Sequence, residues 1–244
     1  MEPPDPRRST FLFATGKKGE GKSHLCRAWF DAYPYDRLVI DPTGDVAEDL
    51  RAEGAEGLIE LDPAALPVRF PRGSEGQRVT LVMVPDMGAA TALDDMDRAV
   101  GLALDGKDHP VMLWVDEVGR LTPSAQTAGP NTRRLLHHGR HHAVTLLAAG
   151  PRPIDVNPLF INQADIAVTF RLPNPADRDR VARNIGFDPA EFGQLNLRHC
   201  RSGSHNYLMY TAADDTLYLM PPLPARRRWR EAYEPLPDYA GPGP

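Results

Sequence analysis

The sequence predicts an α/β protein: a mostly parallel central sheet with helices on both faces. Two observations predict it. The apolar runs FLFAT (11–15), RLVID (37–41), VTLVMV (79–84), VMLWVDE (111–117), AVTLLAA (143–149) and DIAVTF (165–170) are continuous rather than alternating, the pattern of strands covered on both faces. Helical patterns lie between most of them, as expected where crossover helices join parallel strands.

In chain order, the first strand is followed by a helix over 22–32. The second closes on Asp-Pro-Thr-Gly, a turn signature, and VAEDLRAEGAEG (46–57) reads as a solvent-facing helix. The third strand leads to TALDDMDRAVGLAL (91–104), an amphipathic helix. The fourth strand ends in two acids, and a further helix ends near His138. Past residue 200 the pattern changes: NYLMYTA, two aspartates and TLYLM read as an antiparallel hairpin over 201–220. The tail, 221–244, holds seven prolines and the basic run Arg226–Arg230 and is predicted as an extended arm. Residues 1–10 are predicted to be a flexible leading segment, and no internal repeat is visible.

The 244 residues suffice for one large α/β domain with a substantial core. A hydrophobic fraction of 41% with 25% charged residues is that of a soluble globular protein. No apolar stretch approaches the 18 or so residues of a membrane span, and the opening MEPPDPRRST lacks the apolar core of a secretory signal. Two cysteines, Cys26 and Cys200, build neither a disulfide framework nor a zinc site alone; a reducing, cytoplasmic setting follows. A net charge of −5 argues against a protein that coats nucleic acid. It leaves open a ring in which only a small inner surface is basic.

GKKGEGKS, Gly16 to Ser23, satisfies G-x-x-x-x-G-K-[ST]. Chance alone produces such a match in roughly one chain in a hundred of this length, and its place between a predicted strand and helix makes a mere Gly/Lys-rich surface loop the poorer explanation. Gly16, Gly19 and Gly21 let the backbone curl so that its N–H groups face a phosphate. Lys17, Lys18, Glu20 and His24 complete the predicted binding stretch. The helix opening at Lys22 adds its positive dipole end. Lys22 is expected to reach the β- and γ-phosphates of ATP, and the Ser23 hydroxyl to ligate Mg²⁺.

Asp116, at the tip of the fourth strand, is placed to hold the same Mg²⁺ through water. Glu117, directly after it, is suited to polarise a water for in-line attack on the γ-phosphate. A small-molecule kinase has less use for such a glutamate, so hydrolysis is favoured over transfer to a small acceptor.

The order of these motifs resembles that of the FtsK/HerA superfamily of P-loop ATPases. The resemblance is carried by GKKGEGKS, VIDPTGD (39–45), VMLWVDEV (111–118) and HGRHHAVTLLAAGPRPIDVNPLFINQADIAVTFRL (138–172), and it spans about residues 11–185. The family's Asp-Pro-x-Gly matches Asp41 to Gly44; its Gly-Arg pair, Gly139-Arg140; its Arg-Pro, Arg152-Pro153; and its Asn-Gln-Ala-Asp, Asn162 to Asp165. It implies a single RecA-like domain over 11–200, of the additional-strand type, with the hairpin packed on it. It further implies ATP hydrolysis driving double-stranded DNA through a homo-oligomeric ring, a hexamer. Small size and the lack of an anchor favour viral genome packaging at a capsid or portal vertex, in the host cytoplasm or with the virion. An ATP-dependent assembly or morphogenesis factor with weak hydrolysis is the alternative. One departure bears on that choice: the family's sensor glutamine, just before Arg-Pro, is replaced by Gly150-Pro151.

The sequence HHGRHH at 137–142 offers His137, His138, His141 and His142 in i, i+4 pairs, a metal-like spacing. No further ligand type stands near them, so a polar helix end facing a neighbouring subunit is preferred. His and Arg there also suit the helix's negative C-terminal end. Arg140 is the candidate trans-acting arginine finger, with Arg133 and Arg134 behind it; an intrachain salt bridge is the plainer role for Arg140.

Overall fold

The computed structural model describes residues 9–72, 77–105, 109–122 and 128–223. Its first half runs β1 (Phe11–Thr15), α1 (Lys22–Ala32), β2 (Asp36–Ile40), α2 (Asp45–Ala52), β3 (Leu58–Leu61), β4 (Thr80–Met83), α3 (Ala92–Leu104) and β5 (Val111–Val115). The second half runs α4 (Pro130–His138), β6 (Val144–Gly150), α5 (Leu159–Asn162), β7 (Ile166–Thr169), α6 (Pro175–Asn184), α7 (Pro189–His199), β8 (Tyr207–Thr211) and β9 (Thr216–Met220). The strands form one sheet in the order β3-β4-β2-β5-β6-β1-β7-β8-β9. Every neighbouring pair from β3 to β7 is parallel, while β8 and β9 are antiparallel. The predicted mixed α/β class with a mostly parallel sheet is the observed one.

The unbroken apolar runs are explained by two cores. Successive residues of a strand point to opposite faces. Phe11, Phe13, Leu38, Ile40 and Leu113 pack with Met96, Val100, Leu135, Val181 and Phe192 of α3, α4, α6 and α7. Leu12, Ala14, Val39, Trp114 and Leu147 pack instead with Leu25, Phe30, Val46 and Leu50 of α1 and α2. Burial of this kind contributes about 1.5–3 kcal/mol per large side chain, and β1, β2, β5 and β6 are buried along their whole length.

Several boundaries differ from the sequence-based expectation. The helix expected over 46–57 is α2, Asp45–Ala52; Gly54 and Gly57, both at positive φ, turn the chain into β3 instead. A Cβ at Gly57 would stand 2.2 Å from the Arg78 carbonyl oxygen, so only glycine lets β3 enter against β4. The strand expected over 111–117 stops at Val115, leaving Asp116 and Glu117 in the turn beyond it. Helices α6 and α7 were not anticipated. Each opens on a proline behind a side-chain cap: Asn174 accepts from Ala176 N and Asp188 from Glu191 N, the local chemistry that starts a helix. The hairpin β8–β9 continues the central sheet through β7. The expected leading segment (all but Ser9 and Thr10) and the proline-rich tail from residue 224 lie outside the described residues.

Candidate nucleotide site

The P-loop leaves the sheet at Thr15. Gly16, Gly19 and Gly21 have φ of 150°, 84° and 114°, a region that L side chains rarely adopt. Glycine is required twice over at Gly16, where a Cβ would lie 2.5 Å from Phe170 Cβ. Phe170, just past β7, forms the floor of the loop. Its N–H donates to Thr15 O (2.8 Å), and Lys17 N donates to Arg171 O (2.9 Å). Asn196 of α7 secures that floor, donating to Phe170 O and accepting from Leu172 N.

Helix α1 begins at Lys22 with no side-chain cap, so the N–H groups of its first turn remain for a ligand. Lys22 is buried, and its ammonium donates to Gly16 O (2.7 Å) and Lys17 O (3.2 Å) across the loop. Burial lowers its pKa, opposed by the nearby carboxylates of Glu117 and Asp116. Lys17, Lys18, Gly19 and Ser23 are exposed at the mouth, and His24 is half-buried. Glu20 is buried, and its carboxylate accepts from Ser202 Oγ and Gly203 N.

The acids arrive from the next strand but one. Thr15 pairs with Gly150 and Val115 with Ala148, so β6 lies between the P-loop strand and the strand that presents Asp116. At about 4.8 Å per strand this sets the two motifs roughly 10 Å apart, room for two phosphates and an ion. Asp116 N donates to Ile40 O (3.0 Å). Burial, with Asp41 and Glu117 nearby, pushes the Asp116 carboxyl up to about 7, against the pull of Lys22. Glu117 has φ 51° and ψ 50°, a left-handed conformation in a non-glycine residue. Such strain persists only where surrounding structure holds it and concentrates at functional sites. It turns the chain sharply into the short 3-10 segment Val118–Arg120, closed by Arg120 N donating to Glu117 O (2.7 Å).

Asp41 is the residue whose role the sequence did not announce. It is fully buried; Oδ1 accepts from Thr43 N, Thr43 Oγ1 and Gly44 N, and Oδ2 accepts from Ala47 N. The Asp-Pro-Thr-Gly turn is thus built around this carboxylate, which also satisfies the start of α2. The signal available was an Asx-type turn, not its proximity to Asp116.

The end of β6 is apolar. A Cβ at Gly150 would meet Val118 Cγ1 and Val156 Cγ2, each at 3.4 Å, so no polar side chain projects from that position. Arg140 lies at the other end of the same strand, in the turn Gly139–His142 before β6. At about 3.3 Å per residue, β6 holds it on the order of 20 Å from its own P-loop. Its guanidinium pairs with Asp165, whose other oxygen accepts from Phe11 N, and it stands 6.0 Å over the Phe11 ring. His137, His138 and His141 are exposed beside it, with ring centroids 6.2 and 6.4 Å apart in sequence, whereas His142 is buried. Among the described residues, no group of three His, Cys, Asp or Glu side chains is arranged to hold a metal ion. The basic run Arg226–Arg230 lies outside the described residues.

No family model and no curated protein matches the chain. Among solved structures it is similar to the genome packaging NTPase B204 of Sulfolobus turreted icosahedral virus 2, bound to AMPPCP. The TM-score is 0.65 at 17% identity, over 90% of this chain and all of that one. The likeness is one of fold, a RecA-like P-loop NTPase fold with a mostly parallel sheet. VirB4 of Thermoanaerobacter pseudethanolicus is similar at TM-score 0.56 and 12% identity, over 91% and 92% of the two chains. The pCW3 conjugation coupling protein TcpA, with ATPγS, is similar at 0.54 and 14% over 89% of this chain and 61% of that one. No helix among the described residues is long and apolar enough to cross a membrane.

Proposed function

We infer that the protein is an ATP-hydrolysing motor that moves double-stranded DNA through a homo-oligomeric ring, a hexamer. The genome it moves is viral, packaged at a capsid or portal vertex in the host cytoplasm. The observation that carries the enzymatic part is the convergence of the P-loop, Asp116 and Glu117 at the C-terminal ends of β1 and β5, with β6 between them. What supports the DNA-packaging part is likeness in fold to a genome packaging NTPase.

On this reading the N–H groups of Gly16–Ser23 cradle the phosphates, and Lys22 exchanges its two carbonyl partners for the β- and γ-phosphate oxygens. Ser23 and, through water, Asp116 would hold Mg²⁺, which neutralises charge on the phosphates when bound. The residues fit that ion: Asp116, Asp41 and Glu117 crowd one another, and Asp116 is held toward its neutral form with only Lys22 opposing. Glu117 orients the attacking water and takes its proton. Arg140, too remote to serve its own chain, acts on the site of the adjacent subunit.

The apolar end of β6 favours one second reading. With Gly150 flanked by Val118 and Val156, γ-phosphate sensing lacks the family's polar group, which suits an ATP-dependent assembly or morphogenesis factor that hydrolyses slowly. Steady-state hydrolysis with and without linear duplex DNA separates the two. A motor is stimulated by the duplex, whereas slow turnover indifferent to DNA would replace the motor with the assembly factor.

A further inference from the structure

Glu20 is an awkward residue for its place. It sits inside the loop that is to collect a triphosphate, and a carboxylate free to turn inward would repel that ligand. In the structure that carboxylate is already engaged: the residue is 4% exposed, with Ser202 Oγ donating to one oxygen (3.2 Å) and Gly203 N to the other (3.4 Å). The same turn touches the loop a third time, where His205 Nδ1 lies 3.2 Å from Glu20 O. His205 itself holds a left-handed φ of 54°, and Gly203 one of 73°. This turn joins α7 to β8, and Tyr207, the first residue of β8, packs its ring 5.2 Å from that of Phe170 beneath the P-loop.

We propose that Glu20 and the turn 202–205 form a latch through which the C-terminal hairpin controls nucleotide affinity. The inference rests on the nucleotide-binding reading above. With the hairpin seated, Ser202 and Gly203 hold the Glu20 charge outside the phosphate cradle. When β8–β9 is displaced, the carboxylate loses both donors and swings toward the phosphates, so the bound nucleotide is expelled. Glu20 is a positioning residue in this scheme and touches no reacting atom. Moving a unit charge from about 9 to about 5 Å from a phosphate charge, at an effective dielectric of about 20, weakens binding by about tenfold. The effect fades as salt screens it.

The test is the dissociation constant of a fluorescent ATP analogue with Mg²⁺, measured on the full-length chain. Ser202→Asp places a like charge against Glu20 and is expected to weaken binding about tenfold at low salt, with a smaller loss in 1 M salt. Ser202→Ala, a milder change, should weaken it about threefold. In a Glu20→Gln background, Ser202→Asp should cause no further loss, because no charge remains to be released. An equal loss in both backgrounds would assign the effect to a disturbed turn and overturn the latch. Unchanged binding in both Ser202 variants would overturn it as well. Wild-type protein that binds no analogue would mark failure of the nucleotide reading itself, a result recognisable before any variant is compared.

Discussion

Replacing Asp116 by asparagine should stabilise the protein while destroying its function. The side chain is 9% exposed, and ionising it inside the fold is opposed by burial and by the neighbouring Asp41 and Glu117. Its pKa rises from 3.8 to about 7. Three pKa units correspond to an upper limit of about 4 kcal/mol. The sign follows from proton counts: between pH 4 and 7 the folded protein holds a proton that the unfolded chain has released. Stability from this group therefore falls as pH rises through that window, and the full penalty is present above pH 7. Asparagine is neutral in both states and escapes the penalty. In EDTA, without nucleotide, Asp116→Asn should melt above wild type at pH 8, by at most about 8–16 °C, taking roughly 2–4 °C per kcal/mol at this size. The difference should shrink toward zero near pH 4. Adding Mg²⁺ and an ATP analogue should stabilise wild type by mass action and leave the variant nearly unchanged. The assay is thermal unfolding across a pH series. A variant no more stable than wild type at pH 8, or a gain independent of pH, would refute the account of Asp116 as a carboxylate held ready for a cation.

Lys22→Ala should abolish tight nucleotide binding, measured with a fluorescent analogue, if the ammonium now satisfied by Gly16 O and Lys17 O meets the phosphates as proposed. Glu117→Gln should bind ATP normally and lose about 10²–10⁴ in turnover; wild-type rates would sink its assignment as general base. Gly16→Ala should impair both folding and nucleotide binding, since the added methyl meets Phe170 Cβ at 2.5 Å, and a variant with unaltered melting and affinity would contradict that packing. Arg140→Ala should bind ATP and hydrolyse almost none, and mixing it with Lys22→Ala under verified subunit exchange should restore some turnover. Background activity in that mixture would confine Arg140 to its own chain.

The sheet was legible in the sequence because its central strands are apolar without interruption, and the tight loop between β1 and α1 because Gly16, Gly19 and Gly21 all take positive φ. The parts that were not legible share a physical cause. Strand β3 is an edge strand with Ile59 and Glu60 both exposed, so it carries no apolar run. Its strongest signal is Gly57, whose necessity appears only when the Arg78 carbonyl is beside it. Helix α6, PADRDRVARN, buries Val181 and Ala182 but is otherwise polar, and Arg178 is buried by donating to the Leu172 and Pro173 carbonyls. In the site, Asp116 and Glu117 could be named from the strand they end. Their neighbour Asp41, the latch on Glu20 and the Phe170 floor come from strands and turns far away in the chain. Those contacts follow from the order of the sheet, which no local pattern encodes.

The same order decides what one chain can do alone. In a parallel sheet the two ends of the strands are chemically different places. Lys22, Asp116 and Glu117 lie at the C-terminal ends, while Arg140 and the exposed histidines, at the end of α4 and in the turn after it, lie beyond the N-terminal end of β6. No side-chain rotation spans that gap, so a nucleotide role for Arg140 requires a second copy that sets its own C-terminal edge against this face. The ion pair with Asp165 does not bar that role. Arg140 is 56% exposed and Asp165 31%, and pairs so open to solvent are worth about 0–1 kcal/mol. Asp165 would still accept from Phe11 N once Arg140 had left. An arginine finger accelerates phosphoryl transfer by about 10³–10⁵, or roughly 4–7 kcal/mol on the scale of 1.36 kcal/mol per decade. That exceeds the cost of opening the pair several times over, so in the proposed ring the intrachain bridge would not hold Arg140 back from a neighbour's nucleotide.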